Sequence, residues 1–331
     1  MKKIQKVVKY FISLTIPILL IFINTASSTN LTNYKTTTSY NEREYWALVV
    51  TIIDFEYDVN DLNLPVDMMY KPLTSASNWK EDHVLFINNE NATKENILEA
   101  FDWLSSKTDE NDIALFYYGG HGGKIEDKNG DESDNKDEII ATYERGGYIS
   151  DDELNQKFNN ISAKGLIVLL DCCYSGGLAD INNTNDFNMD MREDIKGCGR
   201  VVIASTFEKA VALEVKGVGT LLTLSLKRII SKSQGDRNHD GIISIEETYK
   251  ELKKIFRRIN LFVGTGIAIL AYLTKLKFGK EVTKIILGAG IAAILLWETF
   301  SYVVYGGIMI PYYPLIYDGY EGELPFLEIT R

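Results

Sequence analysis

A thiol and an imidazole stand at the ends of two apolar runs. GLIVLLDCCYSGG (Gly165 to Gly177) closes on Cys172 and Cys173, and about fifty residues earlier a second run closes on YYGGHGG around His121. Each run is short, rich in Val, Ile, Leu or aromatics, and stops at glycine. A buried parallel strand ends in this way at the rim of an α/β sheet. Reacting groups collect at such rims. A thiol next to a base is a nucleophile pair for covalent catalysis. With an ordinary pKa of about 8.5, the thiol is only partly ionised at neutral pH, and a nearby imidazolium increases the thiolate fraction.

The inventory narrows the choice. The chain holds three histidines and three cysteines. His83 precedes the apolar run VLFIN without a glycine nearby, and His239 lies inside an acidic loop. Cys198 sits in KGCGR, where a small apolar filler is the simplest reading. Strand alternation lets only one of Cys172 and Cys173 face the cleft. Adjacent cysteines bridge poorly, and the C-x-x-C spacing of a zinc site is absent.

The elements that must position this pair alternate along the chain. Strand-like runs cover Tyr45–Ile53, Val84–Asn88, Ile113–Tyr118, Leu166–Asp171 and Val201–Ser205. Helical patterns fall near Pro65–Leu73, Lys94–Ser106, Asp151–Phe158 and Gly219–Ser231. Such alternation predicts a parallel sheet covered on both faces.

YYGGHGG and LLDCCYSGG resemble the two signatures of the caspase/metacaspase cysteine peptidases, a His-Gly motif and a D-x-C-x-S-G motif. The segment Ala47 to Leu73 resembles the first strand and helix of prokaryotic members, KNGDESDNKDEII and YISDDEL the acidic loop that follows the histidine, and IYDGYEGEL the closing segment of some archaeal-type members. The resemblance implies an α/β, caspase-like sandwich, with a mostly parallel six-stranded sheet between helices. It implies Cys173 as nucleophile and His121 as base, with the N–H groups of Gly122 and Cys173 as the oxyanion hole. Cys172 becomes a packing residue. Asp171 and Asp67 would line a pocket for a basic side chain, so cleavage would follow Arg or Lys. Asp67 could otherwise be a helix-start residue. Tyr174 stands where metacaspases commonly carry His.

Calcium (Ca2+) is expected from DRNHDGIISIEE. Its oxygens follow the EF-hand spacing: Asp236, Asn238, Asp240, the carbonyl of Ile242, Ser244 and Glu247, with Gly241 at the bend. The resemblance adds a second calcium set, Asp137, Asp151, Asp152 and Asp180. The alternative for that set is a solvated acidic loop with Asp151 capping a helix.

The formal net charge of −11 argues against a nucleic-acid partner. Residues 1–28 read as a signal peptide or membrane anchor: basic MKKIQKVVK, apolar YFISLTIPILLIFI, then small NTASS. Residues 29–44 read as a linker, 45–258 as the peptidase domain with loop 236–247, and 311–331 as its closing tail. Between them, 259–310 holds two apolar stretches around KLKFGKEVTK, read as a transmembrane hairpin. A soluble apolar helical pair or a membrane-surface hairpin are its alternatives. The expected protein is a membrane-associated, calcium-assisted cysteine endopeptidase whose catalytic domain lies outside the cell. A silent caspase-like interaction or calcium-binding module is the alternative of a different class. Legumain-like or clostripain-like peptidases are the alternative within the fold.

Overall fold

The computed structural model describes residues 43–56, 62, 64–128, 130, 135–175, 199–205, 212, 214–215, 218–232, 235–255, 315–318 and 325–328. The strands are β1 (Tyr45–Thr51), β2 (Val84–Asn88), β3 (Ile113–Gly119), β4 (Gly122–Glu126), β5 (Lys136–Ala141), β6 (Tyr148–Ser150) and β7 (Gly165–Asp171). They continue with β8 (Arg200–Ala204), β9 (Glu214–Val215), β10 (Gly219–Thr220), β11 (Ile242–Ser244), β12 (Leu315–Asp318) and β13 (Pro325–Glu328). The helices are α1 (Tyr70–Thr74), α2 (Lys94–Lys107), α3 (Asp151–Asn159) and α4 (Leu221–Lys232), followed by α5 over residues 245–255.

The central sheet has the order β12-β8-β7-β3-β1-β2. Five of its six strands are parallel, and β12 from the tail runs antiparallel along β8. β3 and β7 are buried at every position, as the continuous apolar runs require of strands covered on both faces. One face packs α1, α4 and α5 through Leu73, Leu226 and Leu252. The other packs α2 and α3 through Phe101, Leu104, Leu154 and Phe158. The result is a three-layer sandwich.

Local signals set the helix bounds. Thr93 caps α2 by accepting the Asn96 amide. Ser150 and Glu153 form a capping box on α3, so the cap is Ser150, with Asp151 in the first turn. The expected helix over Pro65–Leu73 is confined to Tyr70–Thr74, and residues 66–69 form turns. The helix expected from Gly219 starts at Leu221, because Gly219–Thr220 pairs with β9. The tail is built into the core. β13 pairs with β11, Phe326 is fully buried, and its carbonyl accepts from Asn78 Nδ2 (3.1 Å) and Trp79 Nε1 (2.9 Å).

Among the described residues no helix is long and apolar enough to cross a membrane. The segment 1–28 and the stretch 259–310 lie outside the described residues.

Candidate active site

The sheet brings the two motifs together by register. Gly119, the last residue of β3, pairs with Asp171, the last residue of β7. Beyond the pairing, the Gly120 amide donates to the Asp171 carbonyl at 3.4 Å. A methyl group on Gly122 would overlap the Cys173 carbonyl oxygen and press on Cys172 Sγ at 3.1 Å. Backbone 120–122 therefore lies directly on backbone 171–173, with His121 in the middle. Only glycine permits that approach.

Alternation at the end of β7 separates the two thiols. Cys172 is fully buried among the residues facing α2 and α3, and burial pushes its thiol well up, so it stays protonated and inert. Cys173 is half-buried, and its sulfur accepts the Ala212 amide at 3.4 Å. Tyr174 turns the chain away at φ 59°, a left-handed conformation uncommon outside glycine.

His121 is half-buried and held from two sides. Its carbonyl accepts the Ala141 amide at 2.9 Å and the Tyr118 hydroxyl at 2.7 Å. Its ring lies against Phe55, centroids 4.8 Å apart at 32°. His83, by contrast, is buried flat against Trp46 at 3.7 Å, remote from the thiols in the fold.

Asp171 is only 2% exposed and turns toward α4. Its Oδ2 accepts from Thr223 Oγ1 at 2.6 Å and from Thr220, while Oδ1 is buried with no hydrogen-bond partner among the described residues. Burial raises its pKa, and the hydroxyl bonds only partly offset this. Burial, then the neighbouring Asp171, also raises Tyr117, whose hydroxyl bonds Thr223 at 2.8 Å. Asp67 lies in the turn before α1 and pairs with Lys71. It lines a groove between α1 and α4 with Met68, Lys71, Thr223 and Lys227. Thr223 thus faces this groove and bonds Asp171, which links the two acids. No local pattern signals this partnership of Asp171 with Thr220 and Thr223, which lie 49 and 52 positions further along the chain.

The acidic sets are arranged differently. In the 236–247 loop, Asp236 accepts the Asp240 and Gly241 amides (3.1 and 3.2 Å). Asp240 accepts the Ile242 amide (2.8 Å), and Glu247 accepts those of Arg237 (2.9 Å) and Ser244 (3.3 Å). Gly241 takes φ 90° at the expected bend. In the second set, both oxygens of Asp151 are engaged by the Glu138 and Asp152 amides at 3.0 Å, and Asp137 is buried on β5. Asp180 and Cys198 lie outside the described residues. Among the described residues no three His, Cys, Asp or Glu side chains converge as a metal site.

Residues 48–182 match the family model for the metacaspase, peptidase C14 domain. This is a caspase/metacaspase-like chain. Both motifs of its candidate active site fall inside the matched stretch. The caspase/metacaspase-like chain is 32% identical to metacaspase-1 of Kluyveromyces lactis over 126 residues, 35% of this chain and 29% of that one. Metacaspase-1A of Aspergillus oryzae is 40% identical over 93 residues, 27% and 22% of the two chains. Metacaspase-1 of Schizosaccharomyces pombe is 29% identical over 158 residues, 45% and 37%. The match thus spans well under half the length of these relatives. Among solved structures, caspase-1 from Spodoptera frugiperda aligns over 67% of this chain and 83% of its own, with TM-score 0.45 and 10% identity.

Proposed function

We propose that the chain is a cysteine endopeptidase that cleaves after Arg or Lys through Cys173 and His121. One observation carries this reading: the backbones at residues 120–122 and 171–173 are in contact, and only the outer of the two thiols is left accessible. The Cys173 thiolate attacks the scissile carbonyl, and the oxyanion takes the N–H groups of Gly122 and Cys173. His121 gives its proton to the leaving amine, and water releases the acyl-enzyme. The buried Asp171 carboxylate, whose Oδ1 has no partner among the described residues, supports a cationic side chain in the first pocket. So does Asp67 in the groove shared with Thr223.

The donor set of the 236–247 loop suits a hard cation. It offers carboxylates, an amide oxygen, a hydroxyl and a carbonyl at alternating positions around a left-handed glycine. In this reading Asp236, Asn238, Asp240, Ile242, Ser244 and Glu247 hold Ca2+, which would fix the loop and the strand it gives to β13. The set of Asp137, Asp151, Asp152 and Asp180 is the proposed activating cation site. It needs Asp151 to release its amides. Membrane association through 259–310 and an extracellular catalytic domain complete the reading. Leu315 pairs with Ile203, next to the Ala204 end of β8, so the chain returns from that stretch at the sheet end that carries the thiols.

The test is a panel of peptides ending in Arg, Lys, Asp or Asn, assayed with calcium and with a chelator, beside Cys173→Ala. Calcium-dependent cleavage after Arg or Lys, lost in the variant, is expected. No cleavage with calcium still bound would favour the silent module, and cleavage after Asn would favour a legumain-like enzyme.

A further inference from the structure

The ring contact on His121 comes from a loop that is itself fixed at three points. Residues 52–56 leave the end of β1. The Ile52 amide donates to the Gly119 carbonyl at 2.9 Å, which ties the loop to the strand leading to His121. Asn89 Oδ1 accepts the amides of Ile53 (3.1 Å) and Asp54 (3.4 Å) on one side of Phe55. On the other side, the Glu56 amide donates to the Tyr143 carbonyl at 3.2 Å. Asn89 adopts φ 42°, a left-handed conformation that asparagine tolerates better than most side chains. Phe55 is half-buried and packs on the core facing α2 and α3. Its ring is thus placed by backbone bonds before and after it and by the core beneath it.

The two hands on His121 are independent. Tyr118 and Ala141 fix its backbone carbonyl, and Phe55 limits the swing of its ring. An imidazole that must first meet a thiol and then a leaving amine needs its ring held, because small misplacements of a reacting group are costly. An aromatic ring nearby also tolerates the imidazolium that forms during the cycle.

We propose that Phe55 is a positioning residue for the His121 imidazole, and that Asn89 is the post that holds its loop. This rests on the reading of His121 as the base. Phe55 touches neither substrate nor thiol in this scheme and acts only through the imidazole.

The experiment uses the full chain in detergent with Phe55→Leu, Phe55→Tyr and Asn89→Ala. Phe55→Leu should lower kcat by about 10-fold or more while KM stays within about twofold, because ring placement and not binding is lost. Phe55→Tyr should restore kcat, and Asn89→Ala should show a smaller loss of the same kind. A kcat within twofold of the parent in Phe55→Leu, or failure of Phe55→Tyr to rescue, overturns the proposal. The ring-proton NMR signals of the three histidines give a readout independent of turnover. Those of His121 should move in Phe55→Leu as the ring current is lost, while His83 and His239 stay in place. If the parent protein cleaves no peptide, the peptidase reading has failed, and this signal alone decides. An unmoved His121 signal overturns the positioning role.

Discussion

The end of β7 and the 236–247 loop are both dense in reactive side chains, yet they use them in opposite ways. At the end of β7, sheet hydrogen bonding satisfies the backbone, so the side chains are not spent on their own strand: Asp171 accepts hydroxyls from Thr220 and Thr223, and Cys173 accepts the Ala212 amide. In the loop, the carboxylates of Asp236, Asp240 and Glu247 satisfy the backbone amides themselves. A motif rich in acids can therefore be spent on its own turn. A strand end at a sheet rim leaves its side chains to bond other parts of the fold.

That contrast can be broken by single substitutions, the largest effect first. Gly122→Ala should reduce cleavage by at least about 10²–10³-fold, because a methyl there collides with the Cys173 carbonyl and displaces the proposed oxyanion donor. Calcium titration of the loop should be unchanged in this variant; a parallel loss of calcium binding would show that the two regions are not independent. Phe326→Ala empties a fully buried site and should cost about 3–5 kcal/mol in chemical denaturation. The loss should be accompanied by loosening of β11, read by amide exchange, with the β3–β7 amides the last to exchange. Equal exchange in both regions would contradict the separation.

Asp171→Asn should shift activity away from Arg and Lys peptides and also change the pH dependence of stability. Burial raises the folded pKa of Asp171 above its unfolded value, so the fold favours the protonated form. Its cost is absent below about pH 4, the ordinary carboxylate value, and grows as pH rises from there through the folded pKa. The variant should therefore melt above the parent at neutral pH, and the gap should close in acid. A gap that widens in acid would reverse the sign. Lys71→Gln removes the exposed partner of Asp67 and should raise kcat/KM for basic peptides by only about twofold, as surface ion pairs are weak. A larger gain would mean that Lys71 occupies the pocket in the free protein.

Much of the rim was legible in the sequence because period and glycine carry direct structural meaning. The apolar runs before His121 and Cys173 became neighbouring strands with the expected bounds to within a residue. Alternation allowed only one of the two thiols to face the cleft, the motif resemblance made Cys172 the packing one, and Cys172 lies in the core. The α1 segment was less legible, since residues 66–69 fall in the expected helix but form turns, and the helix keeps only Tyr70–Thr74. The sheet of β4, β5 and β6 escaped notice because its strands are short and polar. Phe55, Ala212 and the Thr220/Thr223 pair were hidden for a different reason. Their roles come from contacts across 39 to 66 residues of chain, which no local pattern encodes. The β11–β13 pairing likewise joins an acidic loop to a tail strand beyond the 259–310 stretch.

The most direct test labels the protein with a peptide chloromethyl ketone ending in Arg and maps the adduct by mass spectrometry. The geometry predicts a single adduct on Cys173, formed slowly or not at all in His121→Ala and unaffected by Cys172→Ala. An adduct on Cys172, or labelling of Cys173 at an equal rate without His121, would contradict the dyad.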